Sequence, residues 1–258
     1  AERIEILRGP ATLRFGPGAI GGVINVIDNR IHTAAFEGIE GAVETRYSSN
    51  GDARATVGRF DGGYAGFNLH VDAVTRDSNS ISIPGSALSD STDTDDSYGV
   101  IENSDAKADS FSTGLSWVTE DLVIGFGYSE LDNNYGLPPS SHAHEEHDDH
   151  SEDEHSADEA AEEAEEFVRI DMQQQSYQGK LLLTNLGDFL GQLDVDFGYT
   201  DYQHRELEIA AGQVAVGSLI ESVNHDLRAE LTHTEYFGWR GAWGLQASNR
   251  DFGSSGEE

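Results

Sequence analysis

Apolar and polar residues alternate along most of this chain. Leu69 and Val71, for example, share one face of a segment whose other face carries His70 and Asp72. A period of two predicts β-strands with one apolar and one polar face. The same alternation recurs near residues 39–47, 111–117, 122–128, 177–183, 193–199, 227–231 and 239–247. The sequence therefore predicts an all-β fold with about nine antiparallel strands.

The connections between these strands differ in length in a regular way. Short turns are predicted at 61–63, 119–120, 185–188 and 236–238, and they alternate with mostly long loops near 78–108, 133–170 and 203–224. A soluble β-sandwich also has alternating strands, but it has no reason to place its long loops at one end. An outer-membrane barrel has short periplasmic turns and long extracellular loops. The pattern therefore favours part of a transmembrane β-barrel.

The first part of the chain, residues 1–30, has a different pattern. Short strands are predicted at 3–8 and 23–27, with a glycine-rich stretch between them. Residues 16–21 match the G-x-G-x-x-G pattern of dinucleotide-binding loops, but such a site needs a helix after the loop. An apolar strand follows instead, so we exclude nucleotide binding and interpret these glycines as turn residues.

Composition narrows the function classes further. Only 37 % of the 258 residues are hydrophobic, and the formal net charge is −33. Nucleic acid is excluded as a partner because phosphate binding needs basic patches. The absence of cysteine excludes cysteine-based zinc sites and disulfides. The chain begins without an initiator Met, so we expect it to be a piece of a longer protein.

A run of histidine and acidic residues occupies the long loop predicted near 133–170. Imidazole nitrogens suit Zn, Cu and Ni, so this run predicts metal capture; the alternative is a solvated low-complexity loop whose histidines are incidental. Fixed zinc sites need oriented ligands, so we expect many partial sites that concentrate cations at the surface and bind more weakly as histidine protonates. The candidate ligands are His142, His144, Glu145, Glu146, His147, Asp148, Asp149, His150 and His155.

A second group of candidate metal ligands lies on the predicted strands. His70 and Asp72 occupy the polar face of one strand, and His204 lies near the end of another. They could form an inner relay site, although ordinary polar lining of a barrel lumen is the simpler interpretation. His32 is interpreted as a linker residue, and His225 and His233 as plain strand residues. No hydrolytic motif is present, so we expect no enzymatic activity and no cofactor.

Residues 2–27, with the sequence ERIEILRGPATLRFGPGAIGGVINVI, closely resemble the end of the plug domain in TonB-dependent outer-membrane receptors. The resemblance implies that residues 1–30 end a plug and that residues 31–258 form the first part of a barrel of about 22 strands, the size class whose lumen is plugged. It also implies an outer-membrane location in a Gram-negative bacterium, contact with lipid, and energy coupling through the TonB complex by a segment absent here.

A narrower resemblance concerns the cargo. The acidic histidine loop, preceded by 136–139 and followed by 167–174 and 198–204, resembles the zinc-uptake branch of these receptors. It implies TonB-dependent import of a metal ion, with Zn²⁺ as the main interpretation and the loop capturing the cation at the cell surface. One alternative is a siderophore or haem receptor, and a second is a non-transporting β-barrel surface protein.

Overall fold

The computed structural model describes residues 3–9, 21–87, 98–138, 167–210 and 212–256. Nearly all of these residues are in β-strands, apart from turns and one short 3-10 turn at Asn50–Asp52. The strands in chain order are β1 (Arg3–Leu7), β2 (Val23–Ile27), β3 (Gly38–Ser48), β4 (Ala53–Tyr64), β5 (Phe67–Ser78), β6 (Ile81–Ser86), β7 (Tyr98–Ile101), β8 (Ala106–Val118), β9 (Leu122–Leu137), β10 (Phe167–Thr184), β11 (Leu190–Ala210), β12 (Gln213–His233) and β13 (Ala242–Gly256).

Nine of these strands form a single antiparallel sheet in the order β3-β4-β5-β8-β9-β10-β11-β12-β13. Each strand therefore pairs with its neighbour along the chain, except that the small β6–β7 hairpin is inserted between β5 and β8. Strands β1 and β2 form a separate antiparallel hairpin. Within the described ranges β3 and β13 do not pair with each other, so the sheet is open. The predicted all-β class and the partial barrel of about nine strands are confirmed.

The two faces of the sheet have opposite character. On β5, Phe67 and Leu69 lie on the exposed face, whereas Asn68 and His70 are buried on the other. The outer face continues through neighbouring strands with residues such as Leu115, which is 59 % exposed. Within the described part of the chain, the only buried hydrophobic residues are Val123 and Ile170, whereas the buried polar residues are Asp61, Asn68, His70, Ser112, Ser116 and Ser176. Soluble proteins show the reverse distribution, so this sheet is built for lipid on its outer face.

Aromatic rings mark two levels of the outer face. Near one end, Phe67 on β5 stacks on Trp117 of β8 with ring centroids 5.8 Å apart. Towards the other end, Tyr128, Tyr177 and Tyr199 form a row across β9, β10 and β11, with neighbouring centroids 5.1 and 5.8 Å apart. Aromatic residues are enriched near the membrane interfaces of outer-membrane barrels, although the two levels here are separated by only four residues of β9. Leucine, isoleucine and phenylalanine side chains occupy the outer face between the two levels.

The prediction of a long loop near 203–224 was wrong. Strand β11 runs to Ala210 and β12 begins at Gln213, and the two strands pair through this region, with Gln203 opposite Glu221. Gln203 and Arg205 face outward and His204 and Glu206 face inward, so polar residues interrupt the apolar alternation although the backbone pairing continues. The connections 79–105 and 138–166 are long, and both leave the same end of the sheet as the short 211–212 connection.

The turn predicted at 61–63 was also misplaced. Asp61 and both following glycines belong to β4, and the turn lies at Ala65 and Gly66, which have φ angles of 52° and 83°. Positive φ is the conformation that a tight hairpin turn requires. Among the described residues, none belongs to a helix long and apolar enough to cross a membrane.

Candidate functional site

Residues 28–36, here called the linker segment, connect the β1–β2 hairpin to β3 and lie along the inner face of the sheet. The Arg30 guanidinium donates a hydrogen bond to Ser129 Oγ on β9 at 2.8 Å. The backbone N–H of Phe36 donates to Asn68 Oδ1 on β5 at 2.9 Å. Between these two points, His32 Nε2 lies 2.9 Å from Asp61 Oδ1 on β4. The linker segment therefore contacts the walls formed by three different strands.

Glycines on the inner face make room for the linker segment. A Cβ atom at Gly114 would lie 1.7 Å from the backbone oxygen of Arg30, and one at Gly63 would lie 2.0 Å from that of Phe36. A Cβ atom at Gly125 would lie 2.2 Å from a side-chain carbon of Ile31. No residue with a side chain fits at these contacts unless the backbone moves, and glycine in a strand commonly marks such close approach. These glycines thus leave the space that the path of the linker segment requires.

His32, Asp61 and His70 meet on the inner face and form what we call the luminal cluster. His70 Nδ1 lies 2.6 Å from Asp61 Oδ1, the same oxygen that His32 Nε2 approaches. The three potential ligand atoms all lie within 4.8 Å of one another. Asp61 and His70 are only 3 % and 4 % exposed. A buried carboxylate between two imidazoles can hold either protons or a metal cation.

Polar neighbours surround the luminal cluster. Arg59 Nε lies 3.1 Å from Asp61 Oδ2, and another nitrogen of Arg59 lies 2.8 Å from Glu40 Oε1. His70 Nε2 lies 2.9 Å from Asp72 Oδ2, which also accepts a hydrogen bond from the Ser112 hydroxyl. The chain of contacts from Glu40 to Ser112 crosses β3, β4, β5 and β8. It orients both nitrogens of His70.

The structure brings the predicted residues His70 and Asp72 into contact, but it does not add His204 to them. His204 lies on the inner face of β11, where its Nδ1 is 3.0 Å from the Tyr202 hydroxyl. The register places His70 level with Gly198, so His204 is four strands away and six residues further along. These steps correspond to about 19 Å across the sheet and about 20 Å along it. The structure therefore does not bring the three residues together in a single relay site.

The predicted ligands of the acidic histidine loop lie outside the described residues, so the structure does not test them. They are His142, His144, Glu145, Glu146, His147, Asp148, Asp149, His150 and His155. The glycine-rich stretch 10–20 also lies outside the described residues.

The strands that flank the long 138–166 connection are held by a polar group at their ends. Arg169 on β10 makes two hydrogen bonds to the Asp105 carboxylate, at 3.0 and 2.8 Å. The Asn103 side chain donates to the carbonyls of Leu137 and Val168, both at 2.7 Å. The hydrogen bonds from Arg169 hold the pKa of Asp105 below its ordinary value. The base of the histidine loop is thus fixed in place.

Sequence reasoning missed two members of the luminal cluster. Asp61 was assigned to a turn because Asp-Gly-Gly is a turn signal, although it alternates correctly with Phe60 on β4. His32 was correctly assigned to a linker but was given no role. A signal was available in the small inner residues Gly114 and Ser116, which leave space for another segment to approach.

Comparison with known proteins gives partial matches. The chain is 33 % identical to the ferric enterobactin receptor PirA of Pseudomonas aeruginosa over 146 residues, which are 52 % of this chain and 18 % of that receptor. It is 62 % identical to the ferrienterobactin receptor of Escherichia coli K12 over 29 residues, 11 % of this chain and 4 % of that receptor. It is 46 % identical to the probable TonB-dependent siderophore receptor PirA of Acinetobacter baumannii over 39 residues, 15 % of this chain and 5 % of that protein. No family model matches the chain.

These matches confirm, at low identity and over part of the chain, the resemblance to TonB-dependent receptors. The chain spans less than a fifth of the length of these relatives. These relatives are named as receptors, which supports the expectations that the chain is not an enzyme and that it lies in the outer membrane. Their names give siderophores and not zinc as ligands, so the zinc branch stays a hypothesis.

Proposed function

We propose that this chain is part of an outer-membrane receptor that imports a metal-containing cargo with energy supplied by the TonB complex. The observation that carries the proposal is the path of the linker segment. It leads from the plug-like hairpin along the inner face of the sheet, where Arg30, His32 and Phe36 contact β9, β4 and β5. A segment inside a partial barrel fits a plugged receptor better than a passive pore.

A ferric siderophore is the first candidate cargo. Its support is the set of relatives, of which one is named as a ferric enterobactin receptor and another as a ferrienterobactin receptor. These names describe those proteins, and the share of them that this chain covers is small. Under this proposal the plug and the inner face of the sheet enclose the chelate during passage, and the acidic loop solvates the outer surface.

A bare divalent cation such as Zn²⁺ is the second candidate cargo, and a specific observation favours it. The net charge of −33 and the histidine-rich run from His142 to His155 attract cations and repel anionic chelates. Imidazole and carboxylate groups suit Zn²⁺, Cu²⁺ and Ni²⁺. Under this proposal the loop gathers cations at the surface and passes them to groups on the inner face.

Uptake in whole cells tests the proposal and separates the two cargoes. Cells that produce the full-length receptor would be supplied with radioactive iron as ferric enterobactin, or with radioactive zinc, in the presence and absence of TonB. A ferric siderophore receptor accumulates the iron label only when TonB is present. A zinc receptor accumulates the zinc label under the same dependence. Accumulation of neither label above that of cells without the receptor would contradict the proposal.

A matched pair of loop variants measures how much the loop histidines contribute to uptake of each cargo. In one variant the five histidines at 142, 144, 147, 150 and 155 become Gln, and in the other the acidic residues 145, 146, 148 and 149 become their amides. If zinc is the cargo, we expect the first variant to lower zinc uptake at limiting zinc by about tenfold, on the scale that loss of metal-orienting groups has on affinity. If a ferric siderophore is the cargo, iron uptake stays the same in both variants.

A further inference from the structure

Asp72 fixes the direction in which His70 presents its second nitrogen. His70 Nε2 lies 2.9 Å from Asp72 Oδ2, and the Ser112 hydroxyl donates to the same oxygen. When the imidazole is neutral, a carboxylate that accepts a hydrogen bond from one ring nitrogen sets the tautomer and leaves a lone pair on the other nitrogen. Histidines that bind metals usually have such a carboxylate partner. Here the remaining nitrogen, Nδ1, points at the centre of the luminal cluster.

A proton or a metal cation has to lie between the facing atoms at the centre of the luminal cluster. His70 Nδ1 and His32 Nε2 lie 2.6 and 2.9 Å from the same atom, Asp61 Oδ1. Lone pairs at such separations repel each other unless a proton or a metal cation lies between them. Arg59 Nε contacts the other oxygen of Asp61 at 3.1 Å, so that oxygen has a partner and Oδ1 is left for the cation.

We propose that His32 Nε2, Asp61 Oδ1 and His70 Nδ1 bind one divalent first-row transition-metal ion on the inner face of the sheet. Asp72 then acts as a positioning residue that orients His70, and not as a ligand. Because His32 belongs to the linker segment and the other two ligands belong to β4 and β5, the ion ties the linker segment to the wall. The proposal holds for either cargo.

The ligand atoms lie near one another but have to adjust their separations to bind such an ion. They lie within 4.8 Å of one another. Zinc binds histidine nitrogen at about 2.0–2.1 Å and carboxylate oxygen at about 2.0–2.2 Å, which places adjacent tetrahedral ligands about 3.3 Å apart. The Asp61 oxygen therefore has to move away from the two imidazole nitrogens by about half an ångström. The two nitrogens lie at most 4.8 Å apart and also have to reach about 3.3 Å. A fourth position is left for water, as in zinc sites with three protein ligands.

The composition of the group decides the class of metal. Two imidazole nitrogens and one carboxylate oxygen suit Zn²⁺, Co²⁺ or Fe²⁺, whereas Ca²⁺ and Mg²⁺ take oxygen ligands in larger number. The nearby charged groups are the carboxylates of Glu40, Asp61 and Asp72 and the guanidinium of Arg59. Carboxylates outnumber the guanidinium among these described residues, so a divalent cation offsets the remaining negative charge.

The test is a metal titration of the full receptor, purified in detergent and stripped of metal. In every sample the five loop histidines between 142 and 155 are replaced by Gln so that they do not compete for the titrant. Co²⁺ is the probe because nitrogen and oxygen ligands in a tetrahedral site give it a visible absorption band, and Zn²⁺ should then displace it. We expect one equivalent of Co²⁺ to bind to the parent receptor.

The affinities for Co²⁺ of three variants and one control test which residues bind the ion. We expect His32→Gln to lower the affinity for Co²⁺ more than a hundredfold and Asp72→Asn to lower it by about 10–100-fold, the range for groups that orient a ligand. His70→Gln should act like His32→Gln. His225→Gln is the matched control, because His225 lies on the outer face beside Tyr199 with ring centroids 4.9 Å apart. It should leave the affinity unchanged.

Two results would overturn the proposal. The first is a parent receptor that binds no Co²⁺ once the loop histidines are gone, which would leave hydrogen bonds alone in the luminal cluster. The second is unchanged stoichiometry and affinity in His32→Gln. His32 lies outside the strands. The affinity of the His32→Gln variant for Co²⁺ can therefore be measured even if His70→Gln fails to assemble in the membrane.

Discussion

The inner face of the nine-stranded sheet carries buried polar residues, whereas the outer face carries exposed apolar residues. On the inner face, Asp61 and His70 are buried and bonded to neighbours, and Gly114 lets a backbone pass against the strand. On the outer face, Phe67 and Phe126 are 63 % and 52 % exposed. A buried polar group is stable only when it is hydrogen-bonded, and a large exposed apolar face needs contact with lipid or with other protein. The difference shows that each face is adapted to a different surrounding.

The largest effect should come from a charge on the outer face. Phe126→Arg places a guanidinium on the apolar band of β9, between the levels of Trp117 and Tyr128. We expect it to destabilise the membrane-inserted receptor by about 2–4 kcal/mol, the cost of Arg near the midplane of a bilayer. Urea unfolding of the full receptor in lipid vesicles measures this change.

A substitution on the inner face serves as the control for that experiment. Gln174→Arg introduces the same side chain on the polar face of β10, where Gln174 contacts Ser176. We expect a change within about 0.5 kcal/mol, as for solvated positions. Equal destabilisation by both variants would mean that the two faces do not differ as described.

The next effect tests the packing of the linker segment. Gly114→Ala places a Cβ atom 1.7 Å from the Arg30 backbone oxygen, so the linker segment or β8 has to move. Overpacking of this kind costs about 1–3 kcal/mol. Gly58→Ala is the matched control, because a Cβ atom at Gly58 would have nothing within 4 Å, and it should be neutral or slightly stabilising. Thermal unfolding of both variants in detergent measures the difference, and similar melting temperatures would contradict the proposed contact.

The smallest effect concerns the ends of the strands, beyond the apolar band. Asp105 has a pKa below its ordinary value because Arg169 donates to it, so their ion pair stabilises the fold at pH values above the ordinary pKa. That contribution should be lost as the pH falls through the lowered pKa. The pair is partly exposed, so we expect less than about 1 kcal/mol. Asp105→Asn should lower the unfolding temperature at pH 7 and have less effect at pH 3; the opposite trend would refute the assignment.

The strand pattern could be predicted because a strand with one face towards lipid needs an apolar residue at every second position. On β5, the alternation of Leu69 with His70 shows in the sequence and is present in the structure. The same signal fails for 203–224, since polar residues such as Gln203 and His204 occupy both faces of β11 and interrupt the pattern there. Backbone pairing continues through this interruption. The signal also fails at Asp61, where a turn-like Asp-Gly-Gly lies inside a strand because Gly63 faces the backbone of Phe36.

The sequence by itself determined the all-β class, the alternation of the strands, the plug-like hairpin and the two inner residues His70 and Asp72. These features depend on local periodicity and on residues near one another in the chain. Only the tertiary structure decided that His32 and Asp61 join His70 and that His204 does not. That outcome depends on the register of neighbouring strands and on glycines that admit the linker segment. Contacts between residues far apart in sequence arise from such packing, which no short stretch of sequence encodes.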